Sequence, residues 1–222
     1  MNKELILRLS KYKRILQRLK ALGLERVFSN NLGDAIGITP ALVRKDFSTL
    51  HLPGNKRGGY EINALLSLLN EILGQNQPKA VILVGCGKIG TALIQYKEFS
   101  KEGINIVAGF DVDPTKLEEE SAVPLFPMSE MRRIVIEKEI KVGIIAVPDF
   151  AAAEVLDLMV EAGIHGVLNF APVELKSTRK TNDNEDVQEC VIHNVNNGLE
   201  LENLFYLVNN KDNIEVFNGG FE

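Results

Sequence analysis

Residues 79–96 read KAVILVGCGKIGTALIQY, which is an apolar run, then three glycines spaced as GxGxxG, then an amphipathic helical pattern. This order predicts a strand that ends where the glycines begin and a helix that starts behind them. Gly85 permits a tight turn, Gly87 lets the backbone approach a pyrophosphate, and Gly90 lets helix and strand pack closely. The amides at the helix N-terminus are suited to phosphate. The stretch therefore predicts the first strand–helix unit of a dinucleotide-binding sheet.

The glycine spacing alone is a weak signal, and the strand that follows strengthens it. Residues 105–113 read NIVAGFDVD, so a second strand ends in Asp111, 21 residues beyond Gly90. A carboxylate at this point accepts hydrogen bonds from the adenosine ribose hydroxyls, and its charge repels a 2′-phosphate. The pattern therefore predicts NAD or NADH as the ligand rather than the phosphorylated dinucleotide.

Further apolar strands are predicted at residues 141–148, 165–172 and 187–195, with the helical pattern FAAAEVLDLMVEAG between the first two. Apolar strands separated by amphipathic helices are typical of a parallel sheet covered on both faces. The cofactor of such a sheet lies across the carboxyl ends of the strands, so these ends place Val147, Pro148, Asn169, Phe170 and Ala171 near the nicotinamide. The candidate cofactor-binding residues are Gly85, Cys86, Gly87, Lys88, Ile89, Gly90, Asp111, Val147, Pro148, Asn169 and Phe170.

The charge of the chain is divided between two regions. The first 60 residues carry twelve Lys and Arg against four Asp and Glu, and the rest carries thirteen against 26, a division that the formal net charge of −5 hides. A basic region of this kind is expected of a surface that meets nucleic-acid phosphates. The acidic remainder would repel DNA, so we expect it to serve a different purpose.

The basic region contains the pattern of a helix-turn-helix. A first helix has an apolar stripe of Leu5, Leu9, Tyr12, Leu16 and Leu19, while Lys11, Lys13, Arg14, Arg18 and Lys20 are expected mostly elsewhere on its surface. A short helix at residues 30–36 is stopped by Gly37. A second helix starts at Thr39 and Pro40, which suit the N-cap and the first helical position.

The second of these helices has the layout of a recognition helix. Val43, Phe47 and Leu50 fall at i, i+4 and i+7 and form a buried face, so the other side can enter a major groove. A turn at residues 53–55 and a basic pair then predict a wing, and a leucine-rich helix at 63–73 closes the domain. The candidate DNA-binding residues are Thr39, Ala41, Arg44, Lys45 and Ser48 on the helix, with Lys56, Arg57 and Tyr60 in the wing.

Other classes of protein are excluded by what the sequence lacks. Its apolar runs are far shorter than the roughly 20 residues that cross a bilayer, and Met1 is followed by Asn-Lys-Glu, so we expect a cytoplasmic protein with no membrane partner. Cys86 and Cys190 do not have the spacing of metal ligands, and no metal site is expected.

A hydride-transfer enzyme needs a general acid or base, and nothing orients His165 or His193 for that role. We expect a sensor with no catalytic residue.

Together these motifs resemble those of the bacterial redox-sensing repressor family Rex. The resemblance runs from about Tyr12 to Leu207 and rests on TPALVRKDF, KRGGY, LVGCGKIGTAL, QYKEF, FDVDP, VPLF, NFAPV and ENLFYL. It implies a homodimer with a winged helix, a Rossmann domain and a C-terminal helix exchanged between subunits. It also implies that inverted-repeat operator DNA is bound when the NAD pool is oxidised and is released when NADH binds.

The residue patterns and the resemblance predict one architecture of the α/β class. An N-terminal winged helix-turn-helix at residues 1–76 is followed by a Rossmann domain at 77–196, with a doubly wound, mainly parallel sheet. The exchanged helix occupies residues 197–208. Residues 209–222, rich in Asn and Gly, are expected to be a flexible tail.

By similarity, Arg14, Tyr96 and the residue at position 196 form a hydrogen-bonded switch between the domains, and Tyr96 also joins the cofactor-binding residues. The family's usual acid at that position is replaced here by Asn196, which can hydrogen-bond to Arg14 but cannot form a salt bridge with it. We therefore expect a switch of different balance in this chain.

Two other functions stay open on the sequence. One is an NAD-dependent oxidoreductase with an incidental basic arm, and the other is a cofactor-binding subunit resembling the CoA-binding part of acyl-CoA ligases. The missing acid–base pair argues against the first. Asp111 argues against the second, since its carboxylate fits a ribose diol.

Overall fold

The computed structural model of the chain describes residues 3–51, 58–74, 79–117, 120–176 and 190–210. The chain divides into two units, Met1–Pro78 and Lys79–Glu222. The predicted boundary after residue 76, the turn at 53–55, the wing residues Lys56 and Arg57, and tail residues 211–222 all lie outside the described residues.

The first unit has the element order of a winged helix-turn-helix. Its described elements are α1 (Lys3–Ala21), β1 (Arg26–Val27), α2 (Ser29–Ile36), α3 (Pro40–Thr49), β2 (Tyr60–Glu61) and α4 (Ile62–Ile72). β1 and β2 pair antiparallel, with Val27 opposite Tyr60. The three predicted helices of the helix-turn-helix region and the closing helix are confirmed, with α2 and α4 each starting one residue earlier than predicted.

The apolar stripe of α1 is confirmed, with one correction. Leu9, Tyr12 and Leu16 are fully buried in the core of the first unit. Lys13, which we expected on the charged side of the helix, is only 9% exposed. It lies four residues after Leu9 and three before Leu16, so the helical period places its Cβ at the edge of the buried stripe, where a long aliphatic stem can be covered.

The start of α3 follows the predicted capping chemistry. Pro40 is the first helical residue, and the Thr39 hydroxyl accepts a hydrogen bond from the Leu42 amide at 3.2 Å. At the other end of the turn, α2 ends at Gly37 in the left-handed conformation with φ 73°. A glycine adopts this conformation without strain, so the tight turn between the two helices is locally determined.

The second unit is built around a six-stranded parallel sheet. Its strands are β3 (Lys79–Val84), β4 (Ile104–Asp111), β5 (Leu125–Pro127), β6 (Val142–Ile145), β7 (Gly166–Asn169) and β8 (Val191–Asn194). The order across the sheet is β5-β4-β3-β6-β7-β8. The chain runs outward from β3 to one edge and then returns to β6, so a crevice opens at the carboxyl ends of β3 and β6, where the direction reverses. The predicted doubly wound sheet is confirmed.

Helices cover both faces of this sheet. The described helices are α5 (Lys88–Ile94), α6 (Lys97–Lys101), α7 (Pro114–Leu117), α8 (Met131–Glu137), α9 (Asp149–Ala162) and α10 (Asn197–Asn209), with a short 3₁₀ helix at Met128–Glu130. Ile82 and Val84 of β3 pack into a cluster with α8 and α9. Val81 and Leu83, which point the other way, pack with residues of α5 and α6. Because alternate residues face helices on opposite sides of the sheet, β3 is apolar at every position after Lys79.

The helix α10 at the end of the described chain has no buried residue. Its seven large apolar or aromatic side chains are between 45% and 67% exposed, and they are Leu199, Leu201, Leu204, Phe205, Tyr206, Leu207 and Val208. A row of exposed apolar side chains of this kind marks an interaction surface.

Among the described residues, no helix combines the length and the hydropathy that a membrane span requires.

Candidate functional site

A cavity of about 350 Å³ opens at the carboxyl edge of the second sheet, at the reversal point between β3 and β6. Five predicted cofactor residues line it, namely Gly85, Gly87, Asp111, Val147 and Pro148. The remaining lining residues are Val84, Val112, Asp113, Lys116, Met128, Ala146, Phe150, Ala151 and Val155. We name this space the Asp111 cavity.

The glycine loop has the steric requirements that its sequence predicted. Gly85 has φ 93°, and a Cβ there would lie 2.5 Å from the Ala146 carbonyl oxygen. A Cβ on Gly90 would collide with the Gly85 carbonyl oxygen, so a side chain would force α5 away from β3. Gly87 differs from both, because a Cβ there would meet nothing within 4 Å. It faces open space at the N-terminus of α5, where a ligand's phosphates can come close to the backbone.

Asp111 joins the end of β4 to the glycine loop. One of its carboxylate oxygens accepts a hydrogen bond from the Cys86 amide at 2.6 Å, and the other accepts one from the Asp113 amide at 2.9 Å. Both donors are neutral backbone groups, so the negative charge is held in place without being cancelled. Each oxygen can accept a further bond, and the half-buried side chain lines the cavity. The arrangement fits a ribose diol.

Cys86 takes part through its backbone and not through its thiol. The side chain is 2% exposed, and its thiol points to the Phe110 carbonyl oxygen at 3.6 Å. Its carbonyl oxygen accepts a hydrogen bond from the Thr91 hydroxyl at 3.1 Å, which ties the loop to α5. The other cysteine, Cys190, is also buried, and burial raises the pKa of its thiol.

The apolar wall of the Asp111 cavity includes side chains that sequence reasoning missed. Val112 and Phe150 are 83% and 85% exposed, more than any other large hydrophobic side chain among the described residues, and both line this cavity. An apolar side chain so exposed gains from covering by a flat apolar ligand. The available signal was their position at the ends of two strand motifs, since Val112 directly follows Asp111 and Phe150 comes two residues after Pro148.

A second, apolar groove of about 520 Å³ lies along α5 and β7. It is lined by Lys88, Ile89, Ala92, Leu93, Tyr96, Phe99, Leu168 and Phe170. The Tyr96 ring is half exposed and stands edge-on to Phe99, with ring centres 5.1 Å apart. Val147, Pro148 and Phe170 were all predicted to lie near the nicotinamide, but they line different spaces. Phe170 lies in this groove, and the other two lie in the Asp111 cavity. We name this space the Phe170 groove.

Asn169 was predicted to contact the cofactor, and the structure corrects this. It is fully buried, and its amide nitrogen donates to the Val173 carbonyl oxygen at 2.7 Å and to the Asn194 side-chain oxygen at 2.8 Å. Its own side-chain oxygen accepts from the Ala171 amide at 2.9 Å. Ala171 is buried as well, at 3% exposure. Asn169 therefore connects the ends of β7 and β8 and presents nothing to a ligand, whereas its neighbour Phe170 does.

The candidate DNA-binding surface of the first unit is the outer side of α3. Thr39, Ala41, Lys45 and Ser48 are exposed there. Arg44 is half-buried and donates a hydrogen bond to the Ser29 hydroxyl of α2 at 3.1 Å. Tyr60 packs edge-on against Phe47, with ring centres 4.9 Å apart, so its ring belongs to the core and only part of it reaches the surface.

The sequence did not indicate the role of Asp46, an acidic residue of α3. Asp46 is only 4% exposed and points toward α1, where it accepts hydrogen bonds from Arg8 Nε at 2.7 Å, Arg8 Nη2 at 2.8 Å and the Tyr12 hydroxyl at 2.9 Å. Burial alone would raise the pKa of Asp46, but the hydrogen bonds from Arg8 and Tyr12 outweigh it and hold that pKa below its ordinary value. Burial, and then the bond to Asp46, raise the pKa of Tyr12.

The three predicted switch residues lie in different parts of the chain. Arg14 is exposed on α1 of the first unit, and Tyr96 lines the Phe170 groove of the second. Asn196 caps α10, since its side-chain oxygen accepts a hydrogen bond from the Leu199 amide at 3.0 Å. This capping contact was not foreseen, and an Asp would supply it equally well. The switch itself stays a prediction.

Family models match both units of the chain. Residues 3–48 match a model described as a putative DNA-binding protein N-terminus, and residues 76–173 match a CoA binding domain. The two matches correspond to the helix-turn-helix and to most of the parallel sheet.

Among the described residues, no group of three or more His, Cys, Asp or Glu side chains could hold a metal ion.

Whole-chain comparisons assign the family. A redox-sensing transcriptional repressor Rex from Desulforamulus reducens is 38% identical over 90% of this chain and 92% of its own length, and one from Chloroflexus aggregans is 41% identical over 77% and 81%. Among solved structures, the repressor RSP in complex with β-NAD⁺ and operator DNA superposes with a TM-score of 0.83 at 26% identity, covering 100% of this chain and 99% of RSP. RSP in complex with β-NADH gives 0.79 at 26% identity, over 98% of each chain. The chain therefore belongs to the family of redox-sensing transcriptional repressors named Rex.

Proposed function

We propose that this chain is a redox-sensing repressor that binds inverted-repeat operator DNA as a homodimer and leaves it when NADH occupies the second unit. The observation that carries the proposal is the pairing, in one chain, of a basic helix-turn-helix with a glycine-loop crevice that ends in Asp111. The proposal places the protein in the cytoplasm, where operator DNA and the NAD pool are both found.

The two spaces of the second unit suit the two halves of a dinucleotide. The Asp111 cavity offers a carboxylate to the adenosine ribose and apolar side chains to the adenine. The open backbone at Gly87, at the start of α5, suits the pyrophosphate. The Phe170 groove, on the other side of the loop, is left for the nicotinamide, where Tyr96 and Phe170 offer aromatic surface.

The Phe170 groove supplies a physical reason for preferring the reduced cofactor. The oxidised nicotinamide ring carries a positive charge and the reduced ring does not, so transfer into an apolar groove disfavours the oxidised form. Lys88 lines the same groove and adds repulsion between like charges. NADH is therefore expected to bind more tightly than NAD.

Release requires that NADH bind the two conformations of the dimer with different affinity. A ligand shifts a conformational equilibrium only by its differential affinity, and reversing a 1:99 ratio takes about 5.5 kcal/mol. We propose that NADH favours a dimer whose two α3 helices no longer match the spacing of the operator half-sites. The exposed apolar side chains of α10 provide the dimer contact, as the exchanged helix.

The experiment starts by selecting a duplex from a randomised library with the full-length protein in the absence of ligand. Binding to the selected duplex is then measured by fluorescence anisotropy at fixed salt, alone and with NADH, NAD or NADPH, and a scrambled duplex serves as the control. We expect the selected sequence to be an inverted repeat and NADH alone to release it. Selection of no preferred sequence, or equal release by all three dinucleotides, would contradict the proposal.

A further inference from the structure

The acid on α3 is out of place for a helix that meets DNA. An exposed carboxylate beside Arg44 and Lys45 would repel phosphates and weaken the positive potential of the first unit. Asp46 avoids this because it is 4% exposed and faces α1 instead of the outer side of the helix. Its charge is matched by the Arg8 guanidinium, so the outward potential of α3 is set by its basic residues.

The contacts of Asp46 define an orientation as well as a distance. Two nitrogens of the planar Arg8 fork donate to its two oxygens, at 2.7 and 2.8 Å, and this pairing is satisfied in one relative direction of the groups. The Tyr12 hydroxyl, one helical turn further along α1, donates to the same carboxylate at 2.9 Å. The three bonds thus resist both sliding and rotation of α3 on α1.

Contacts between aromatic rings connect α1 and α3 to the strand β2. The Tyr12 ring stands edge-on to Phe47, with centres 5.2 Å apart, and Phe47 stands edge-on to Tyr60 of β2 at 4.9 Å. Apolar contacts of this kind supply cohesion but little directional preference. The polar bonds at Asp46 are therefore the directional part of the connection between α1, α3 and β2.

Stability is not a sufficient reason for such a cluster. Two charges must lose their hydration when they are buried, and replacing a buried ion pair by apolar side chains of similar volume is often neutral or stabilising. Removal of one partner alone is different, because it leaves the other charge without compensation. Replacing only Arg8 or only Asp46 would therefore lower stability and change the orientation of α3 at the same time. Replacing both by apolar residues separates the two effects.

We infer that Arg8, Tyr12 and Asp46 form a positioning cluster that sets the direction of α3 and thereby the selectivity of the protein for its operator over other DNA. None of the three needs to touch DNA for this role. The inference rests on the proposed DNA-binding function and adds to it the residues that hold the reading helix in place.

The test compares the double variant Arg8→Met/Asp46→Leu with the wild type, using the selected duplex and the scrambled duplex together with thermal unfolding. We expect near-wild-type unfolding temperature and scrambled-duplex affinity, but an operator-to-scrambled affinity ratio lowered about tenfold or more, the size of one lost base contact. The control is Arg133→Gln/Glu130→Gln, which removes the two exposed ion pairs of Arg133 in the second unit and should leave the ratio unchanged.

Wild-type selectivity in a folded double variant would overturn the inference. Should the double variant fail to fold, Tyr12→Phe decides the matter, because it keeps the ring and removes one of the three hydrogen bonds. A ratio below that of the wild type then supports the positioning role, and an equal ratio overturns it. Absence of operator preference in the wild type itself would instead contradict the proposed function.

Discussion

The two units of this protein each rely on a buried or half-buried aspartate, and they treat its charge in opposite ways. Asp46 in the first unit is paired with a guanidinium and a phenol. Asp111 in the second unit is held by two neutral backbone amides. The guanidinium cancels the charge beside a surface that must attract phosphates, whereas the amides preserve it where a ribose diol must be bound. The donors around a carboxylate thus decide whether it serves structure or recognition.

Substitution of Arg8 should have the largest effect, because it leaves Asp46 without its cation. Arg8→Ala is expected to lower the free energy of unfolding by about 3–5 kcal/mol, the range for one partner removed from a buried pair. Asp46→Ala should cost less, since the Arg8 side chain is 20% exposed and can turn to water, whereas the Asp46 side chain is 5% exposed. Urea unfolding measures both. Equal losses in the two variants would show that the buried carboxylate is not the cause.

Removal of Asp111 tests the other half of the comparison. Asp111→Ala should weaken NADH binding by about 3 kcal/mol, because it removes the ribose acceptors and the brace on the Cys86 amide, and bonds to a charged group contribute roughly 1.5–3 kcal/mol each. Calorimetric titration with NADH gives the affinity, and operator binding without ligand should be unchanged. Glu137→Ala is the control, since it removes an exposed carboxylate of the second unit that lines neither the Asp111 cavity nor the Phe170 groove. A similar loss in both variants would contradict the assignment of Asp111.

Substitution of an apolar residue that lines the Asp111 cavity should have a smaller effect on NADH binding. It tests the contribution of aromatic stacking separately from that of the Asp111 charge. Phe150→Ala is expected to weaken NADH binding by about 1–2 kcal/mol if the ring covers the adenine, in line with aromatic stacking on bases. ADP-ribose should lose the same amount, because the nicotinamide is not involved. Val191→Ala removes another exposed apolar side chain, 72% exposed at the start of β8, and should change neither affinity. Loss for NADH without loss for ADP-ribose would move Phe150 to the nicotinamide end.

The smallest effect concerns acid stability. The pKa of Asp46 is lowered in the folded protein from its ordinary value of 3.8, so its stabilising contribution is present above that value and is lost as pH falls through the lowered one. Between pH 4 and 2, Asp46→Asn should therefore lose less stability than the wild type, with no difference in slope between pH 5 and 7. Urea unfolding across this range measures the slopes. Parallel wild-type and variant curves at low pH would mean that Asp46 is not the titrating group.

Much of this molecule was predictable because local sequence carries the physical cause. The apolar run of β3, the steric demand for Gly85 and Gly90 and the Thr39–Pro40 helix start each depend on residues close together in the chain. Asp111 was also found, since the spacing between a glycine loop and the next strand end is nearly constant in this fold. The motif fixes the position of Asp111 in the chain but not the hydrogen-bond partners of its side chain. It therefore could not show that the Asp111 carboxylate also accepts a bond from the Cys86 amide.

The missed and misassigned residues have partners far away in sequence. Asp46 lies three residues after Val43, at the edge of the predicted buried face, but its ion-pair partner Arg8 is 38 residues away. Asn169 was correctly placed at a strand end, yet Asn194, 25 residues later, takes its amide for an internal hydrogen bond. No local pattern contains this information.

The sequence by itself determined the helices of the helix-turn-helix region, the strands β3, β4, β6, β7 and β8, the two-unit division of charge and the position of the dinucleotide motif. Periodicity, capping and glycine sterics, which act within a few residues, are the reason. The tertiary structure alone decided which polar groups face a ligand and which are used internally. It placed Val147 and Phe170 in separate spaces, turned Asp46 toward α1 and buried Asn169. The physical reason is that a polar side chain's role depends on which donors and acceptors the fold brings within hydrogen-bond distance, and those come from distant parts of the chain.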